Sequence, residues 1–193
     1  MTVLGARFED ALVYAVRLHA AQVRKATAVP YAAHLLGVTS IALEHDASED
    51  EAIAALLHDA IEDQGGATTG DAIRARYGDA VHALVVGCTD ADVTPKPPWR
   101  ERKERYVAHV AGAPEPVKLV SAADKLHNAR SIVADHRVMG DALWERFRGG
   151  KEGSLWYYRA LVEAYGHGAT SERLTRLVSE LERVVAEIEQ RAR

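Results

Sequence analysis

The stretch ALLHDAIEDQGG, residues 55–66, joins an apolar helical run to three carboxylates and a pair of glycines. The paired glycines are typical of a helix end, so Asp59, Glu62 and Asp63 fall near the last turn of a helix. Acidic side chains there are disfavoured by about 0.3–1 kcal/mol each, because the free carbonyl groups already carry partial negative charge. Residues 44–73 contain no lysine or arginine. A positive charge from outside the segment must therefore offset the acids.

The rest of the chain has the same helical character. Apolar residues recur at helical spacing almost everywhere, and no clean alternating strand pattern interrupts them. The length of 193 residues and the hydrophobic content of 48% suit one domain with a real core. We therefore predict an all-α fold, a compact bundle of about eight to ten helices in a single domain over residues 1–193.

Composition argues against several classes of protein. The net charge of −4, from 24 basic and 28 acidic residues, disfavours a nucleic-acid partner. No apolar stretch approaches the ~20 residues of a membrane span, and the N-terminal residues lack a signal-peptide pattern, so we expect a cytoplasmic protein without membrane association. The single cysteine, Cys88, excludes an internal disulfide and is interpreted as a small buried hydrophobic residue.

Capping and breaking residues place the individual helices. Ser48 and Glu51 form a capping-box pattern, and three of the six prolines lie in TPKPPW, residues 94–99, which predicts a loop. Arg24 and Lys25 are interpreted as cations closing the first helix. Helices are predicted over 8–25, from Pro30, from Ser48 to Gly65–Gly66, and over 69–77, 79–89, 100–110, 116–135, 140–147 and 154–165.

The last predicted helix, residues 171–191, is amphipathic. One stripe carries seven apolar residues: Leu174, Leu177, Val178, Leu181, Val184, Val185 and Ile188. The stripe covers only about two heptads, fewer than a coiled coil requires. Packing against the chain's own core is the favoured interpretation, and a homodimer is the alternative.

The acidic segment has the composition of a metal site. At about 100° per residue, His58, Asp59, Glu62 and Asp63 fall within an arc of roughly 140° on one helix side. A divalent cation would supply the missing positive charge, since imidazole and carboxylate together suit Mn, Fe or Zn. The alternative is a solvated acidic helix end.

A second candidate segment is LVSAADKLHNARS, residues 119–131. Asp124 and Asn128 are four residues apart and share a helix face, and apolar residues before them indicate burial. A buried aspartate needs a partner. That partner is either Lys125 or Arg130 in a salt bridge, or a metal ion.

Three further stretches are less specific. RKATAVPYAAH, residues 24–34, contains His34, which taken alone is more often a core histidine than a ligand. GGKEGS, residues 149–154, lacks the spacing of a phosphate-binding P-loop and is interpreted as a loop. The aromatic run at 156–158 predicts core packing, with one face of a ligand pocket as the alternative.

Taken in order, these segments resemble the H…HD…D pattern of the HD superfamily of metal-dependent phosphohydrolases. More closely, RK…PYxxH, ALLHDxIED and ADKLxNxR[ST] are similar to the hydrolase domain of RelA/SpoT-type alarmone enzymes. The chain length points to the small stand-alone alarmone hydrolases. The resemblance spans about residues 8–165, and residues 146–165 look like the ending of the bacterial members.

The resemblance implies roles for particular residues and a reaction. It implies cleavage at the ribose 3′ position of (p)ppGpp, with (p)ppApp as a second candidate, releasing pyrophosphate and GDP or GTP. The ion is usually manganese in this family, with Zn, Fe or Co as alternatives. The implied metal ligands are His34, His58, Asp59 and Asp124; the residues handling the nucleophilic water are Glu62 and Asp63; the nucleotide-site residues are Arg24, Lys25 and Asn128, with Ser131 a weaker candidate.

Two departures from the family pattern bear on base recognition. ATAV, residues 26–29, stands where the long enzymes have a Ser-Gly type loop that is one residue shorter, and Gln64 replaces a frequent threonine. Alternative functions are another HD phosphohydrolase activity, such as an NADPH phosphatase or a nucleotidase, and a non-catalytic nucleotide-binding sensor.

Overall fold

A computed structural model describes residues 2–90, 97–168 and 170–193, and these residues confirm the all-α prediction. They contain no β-strand beyond one isolated bridge between Val23 and Pro30. Residues 94–96, half of the proline-rich stretch 94–99, lie outside the described residues. The helices are α1 Ala6–Leu18, α2 Ala32–Glu44, α3 Glu49–Leu57, α4 Ala60–Asp63, α5 Ala67–Cys88, α6 Trp99–Gly112, α7 Glu115–Met139, a 3₁₀ helix Gly140–Arg146, α8 Gly150–Tyr165 and α9 Glu172–Arg191.

The centre of the bundle is formed by α3 and α7. Residues 52–57 are completely buried, because α3 packs against α1, α2, α5 and α7. Helix α7 packs in turn against α2, α5 and α9. Cys88 is buried beside this core, and burial raises the pKa of its thiol to about 12, as expected for a residue that acts as a hydrophobe.

The first helix is shorter than predicted, so the interpretation of Arg24 and Lys25 as helix-closing cations is wrong. Helix α1 ends at Leu18, and the chain then folds back on itself. The Arg24 amide donates to the Val29 carbonyl at 2.8 Å. This pairing draws the backbone out of the helical conformation and leaves both cations on a loop.

The segment expected to be one helix from Ser48 to the glycine pair is divided after α3. The predicted capping box is present: Glu51 accepts a hydrogen bond from the Ser48 amide at 2.6 Å. His58 and Asp59 form the break before α4. Asp59 therefore lies at the junction between two helices, whereas Glu62 and Asp63 lie on α4, where Glu62 is half-buried and Asp63 is exposed.

Two other expectations concern the C-terminal third. The stretch 149–154 is wrongly predicted as a loop, since α8 begins at Gly150, whose φ of +60° suits glycine. Helix α9 packs against α7 and α8, so its apolar stripe covers the chain's own core, with buried Leu174, Leu177, Leu181, Val185 and Ile188. Among the described residues, none of the helices is both long and apolar enough to cross a membrane.

An ion cluster attaches α9 to the core. Arg173 donates to both carboxylate oxygens of Glu51 at 2.8 and 2.9 Å and to Glu115 at 2.9 Å. The side chain of Glu51 is only 4% exposed. Arg173 therefore joins the N-terminal ends of α3, α7 and α9.

We expect Arg173→Met to destabilise the fold by about 3 kcal/mol, because it leaves the Glu51 charge buried and unpaired. The measurement is urea unfolding followed by circular dichroism. Arg176→Met is the matched control on the same helix, since Arg176 pairs with the exposed Asp46 and should lose no more than about 1 kcal/mol. Equal unfolding midpoints for the two variants would contradict the role of the cluster.

The same cluster predicts how stability depends on pH. Burial raises the pKa of Glu51, but hydrogen bonds from Arg173 and Ser48 outweigh it and leave the pKa below its ordinary value. The unfolded chain then binds the proton more readily, so this stabilisation is present above about pH 5 and is lost as the pH falls through the lowered pKa. The difference in unfolding free energy between wild type and Arg173→Met should narrow below about pH 4. A constant difference from pH 7 to pH 3 would contradict it.

Candidate metal centre

Four predicted ligands converge from three parts of the chain. His34 comes from α2, His58 and Asp59 from the break between α3 and α4, and Asp124 from α7. The Nε2 atom of His34 lies 3.2 Å from Asp124 Oδ1 and 3.6 Å from Asp59 Oδ2. The Nε2 atom of His58 lies 3.0 Å from Asp59 Oδ2 and 3.6 Å from Asp124 Oδ1.

This arrangement fits a divalent cation. Ligand atoms of His34, His58 and Asp59 all lie within 4.8 Å of one another, a spacing suited to one ion. The Nε2 atom of His58 is buried and has no hydrogen-bond partner among the described residues. A buried polar atom without a partner is costly, and coordination of a cation would satisfy it.

Neighbouring groups orient the ligands. His58 Nδ1 donates to the Ala55 carbonyl at 2.9 Å, which directs Nε2 toward the carboxylates. The Tyr31 hydroxyl donates to Asp59 Oδ2 at 2.5 Å. Such contacts hold a ligand in one rotamer and raise its affinity for the ion.

Asp124 has the salt-bridge partner that the sequence left open. Lys125 donates to Asp124 Oδ2 at 2.5 Å, whereas Arg130 pairs with Glu180. Asn128, one turn further along α7, donates to Asp124 Oδ1 at 2.5 Å. The carboxylate is thus held between α7 neighbours and the two imidazoles.

The electrostatics keep both carboxylates ionised. Burial raises the pKa of Asp59, but His58 and His34 outweigh it and hold that pKa well below its usual value. Burial likewise raises the pKa of Asp124, and Lys125 with the imidazoles reverses the shift. Burial lowers the pKa of His58, but the two carboxylates raise it well above its ordinary value. The two ionised carboxylates therefore favour a positive charge between them.

The second pair of acids follows Asp59 on α4. Glu62 is half-buried and accepts a hydrogen bond from the Asp90 amide at 3.3 Å. Asp63 is exposed and accepts one from Gln22 Nε2 at 2.8 Å. Glu62 is therefore the more shielded of the two.

Gln64, one of the two departures from the family pattern, belongs to a polar network beside the candidate metal centre. Its side chain donates to Gln22 Oε1 at 2.5 Å, and Gln22 in turn binds Asp63. His19 contacts Gln22 at 2.6 Å and stacks on Tyr31 with ring centroids 5.3 Å apart. The sequence does not predict His19 and Gln22 as site residues, because nothing in their local spacing marks them.

A cavity of about 600 Å³ opens beside the centre. Its wall contains seven cations and one acid, Asp135; the cations are Arg24, Lys25, Arg102, Lys103, Lys125, Arg146 and Arg148. Arg24 donates to Asn128 Oδ1 at 3.1 Å and to Ser131 Oγ at 3.3 Å. Since Asn128 also binds Asp124, the predicted pocket residues connect the cavity directly to the candidate metal centre.

Aromatic rings complete the cavity wall. Tyr157 and Tyr158 are buried and also line the cavity, so the run at 156–158 serves both core packing and the pocket. Trp99 and Phe147 line it as well. Cations with flat apolar surfaces suit a ligand that carries phosphates and a planar ring.

Four of the cavity cations are not among the residues predicted from the sequence: Arg102, Lys103, Arg146 and Arg148. The available signal was the density of cations in WRERKERY, residues 99–106. The overall net charge of −4 does not reveal this local excess of positive charge, since more acids lie elsewhere on the chain. Folding alone brings α6 and the 3₁₀ segment to the same cavity.

Comparison with known proteins places this geometry in a family. A family model for the HD domain matches residues 11–145, well over half of the chain. The chain is 37% identical over 151 residues to human guanosine-3′,5′-bis(diphosphate) 3′-pyrophosphohydrolase MESH1, covering 72% of this chain and 81% of that protein.

Solved structures agree with that assignment. The crystal structure of lmo0812 from Listeria monocytogenes superposes with a TM-score of 0.73 and 29% identity, covering 81% of this chain and 99% of that one. A metazoan ortholog of SpoT, described as hydrolysing ppGpp, gives a TM-score of 0.76 at 26% identity, over 95% of this chain and 97% of that one.

Proposed function

The chain belongs to the HD-domain family, and we propose that it hydrolyses the 3′-pyrophosphate of (p)ppGpp to pyrophosphate and GDP or GTP. The observation that carries the proposal is the cation-lined cavity that adjoins the His–Asp cluster through Asn128. The similarity to human MESH1 extends over 81% of that enzyme, which supports the proposal.

The shape and charge of the cavity support a guanosine polyphosphate substrate. A nucleotide with phosphates at both ends of its ribose needs cations on two sides and a flat surface for its base. Arg24 and Lys25 reach the cavity from the loop after α1, and Lys103 reaches it from α6. The rings of Tyr157 and Tyr158 provide the flat surface.

HD domains bind divalent metals, and this chain contains a His–Asp cluster that fits one. We propose manganese as the resident ion, held by His34, His58, Asp59 and Asp124, with Zn, Fe and Co as the ions to compare. When bound, such an ion lowers the pKa of a water molecule and neutralises charge on the phosphoryl group.

Glu62 and Asp63 are proposed to handle the attacking water. Water adds to the phosphorus atom attached to the ribose 3′ oxygen, the P–O3′ bond breaks, and the 3′ oxygen leaves as a hydroxyl after gaining a proton. A carboxylate that orients the water and takes its proton contributes about 10²–10⁴-fold to such a step. Arg24 and Lys25 hold the phosphates in line for the attack.

A product assay tests the proposal. Metal-stripped protein is supplied with Mn²⁺ and offered ppGpp, ppApp, NADPH and deoxynucleotides separately. We expect pyrophosphate and GDP from ppGpp, separated by anion-exchange chromatography. Orthophosphate from NADPH alone would favour the phosphatase alternative, and tight ppGpp binding without any product would favour the sensor.

Lys103, a cavity residue that together with Arg102 forms an ion pair with Asp90, tests substrate recognition. We expect Lys103→Met to raise KM for ppGpp by about 10–100-fold with little change in kcat, because one charge-assisted contact is lost. Arg105→Met on the same helix is the control, since Arg105 is exposed and pairs with Glu101. A KM equal to that of wild type would show that Lys103 does not contribute to substrate binding.

We also propose that residues 1–193 fold as one domain in the cytoplasm. The packing of α9 on α7 and α8, together with the Arg173 ion cluster, supports a single domain. Limited proteolysis should therefore yield no stable fragment lacking α9.

A further inference from the structure

One imidazole of the proposed metal centre contacts another histidine. His34 Nδ1 lies 2.9 Å from His127 Nδ1, and the two ring centroids are 4.8 Å apart. His127 is on α7, three residues after Asp124, and is half-buried. It has no place among the proposed ligands or the water-handling acids.

The chemistry of His34 determines the direction of this hydrogen bond. When Nε2 of His34 uses its lone pair to hold a cation, the ring proton must be on Nδ1. That N–H then donates to His127 Nδ1, which must present a lone pair. Metal-bound histidines usually donate to a carboxylate or a carbonyl, as His58 does to Ala55, so an imidazole acceptor is unusual.

The fold makes room for this contact at Gly37. A Cβ atom at Gly37 would lie 2.3 Å from Cδ2 and Nε2 of the His127 ring, well inside van der Waals contact. Glycine within a helix costs about 1 kcal/mol relative to alanine. Gly37 is one turn after His34 on α2. Because glycine has no side chain, the His127 ring can lie against this turn and accept the hydrogen bond from His34.

We propose that His127 is a positioning residue: it fixes the tautomer and orientation of His34 and thereby raises the affinity of the centre for its divalent ion. The inference rests on the metal site of the proposed function. His127 is neither one of the proposed metal ligands nor a residue of the cavity wall, so we expect it to act only through His34. It also couples α7, which carries Asp124, to α2, which carries His34.

The test measures Mn²⁺ binding to the metal-stripped protein by calorimetry, without any substrate. His127→Leu fills similar space but accepts no hydrogen bond, and we expect affinity to fall by about 10–100-fold. Asn places its Oδ1 near the position of the His Nδ1, so His127→Asn should stay within about threefold of wild type. Gly37→Ala, which displaces the ring, should weaken binding as His127→Leu does.

His136→Leu is the control, since His136 is on the same helix and pairs with Asp141 away from the centre. Wild-type affinity in both His127→Leu and Gly37→Ala would overturn the inference while leaving the proposed function intact. An equal loss in His127→Leu and His127→Asn would also overturn it, because packing rather than hydrogen bonding would then be responsible. If wild type binds no Mn²⁺, the proposed metal site itself fails, and this inference fails with it.

Discussion

Asp124→Ala should remove the bound metal and lower kcat for ppGpp hydrolysis by at least about 10³-fold. Asp124 lies 3.2 and 3.6 Å from the two imidazoles, and its carboxylate provides half of the negative charge of the proposed ligand set. His58→Ala should behave in the same way, because it removes the buried Nε2 atom that lies 3.0 Å from Asp59 Oδ2 and makes no hydrogen bond among the described residues.

The measurement is metal content by mass spectrometry after dialysis, followed by the pyrophosphate assay at saturating Mn²⁺. Asp124→Ala also leaves the Lys125 ammonium without its partner, so unfolding by urea must be measured alongside. Asp79→Ala is the control, because the Asp79 side chain is 79% exposed on α5. A folded Asp124→Ala protein with wild-type metal content would refute the ligand assignment.

Glu62→Gln should keep its metal yet lose about 10²–10⁴-fold in kcat. Glutamine has the shape of glutamate and can still accept the hydrogen bond from the Asp90 amide, so the side chain should stay in place. It cannot accept a proton, which is the property that the water-handling role requires. Metal content combined with single-turnover kinetics separates the two effects.

Comparison with Asp63→Asn assigns the role within the pair. Glu62 is half-buried and Asp63 is exposed, so we expect the larger loss from Glu62→Gln. Glu44→Gln, a change on the exposed surface of α2, controls for the substitution itself. If Glu62→Gln kept a near wild-type kcat while Asp63→Asn lost most of it, Asp63 would be the residue that handles the water.

Local patterns in the sequence account for the helices. The capping box at Ser48 and the apolar stripe of α9 depend on residues three or four apart, and such interactions form within one helix. The local sequence pattern does not predict the end of α1 at Leu18. Beyond this residue the backbone forms a hydrogen bond between Arg24 and Val29 instead of helical hydrogen bonds, and such a bond leaves no periodic signal.

The helical periodicity of the sequence predicts the all-α class, and the three motifs contain acids and imidazoles that require a shared positive charge. The packing of the helices is needed to show that Arg24 contacts Asn128 across 104 residues and that α6 contributes cations to the same cavity. It is also needed to show that Gly37 leaves space for the contact between His127 and His34. This difference follows from how far apart along the chain the interacting residues lie. Helix formation and capping act between near neighbours, whereas a metal centre and its pocket depend on which helix faces pack together.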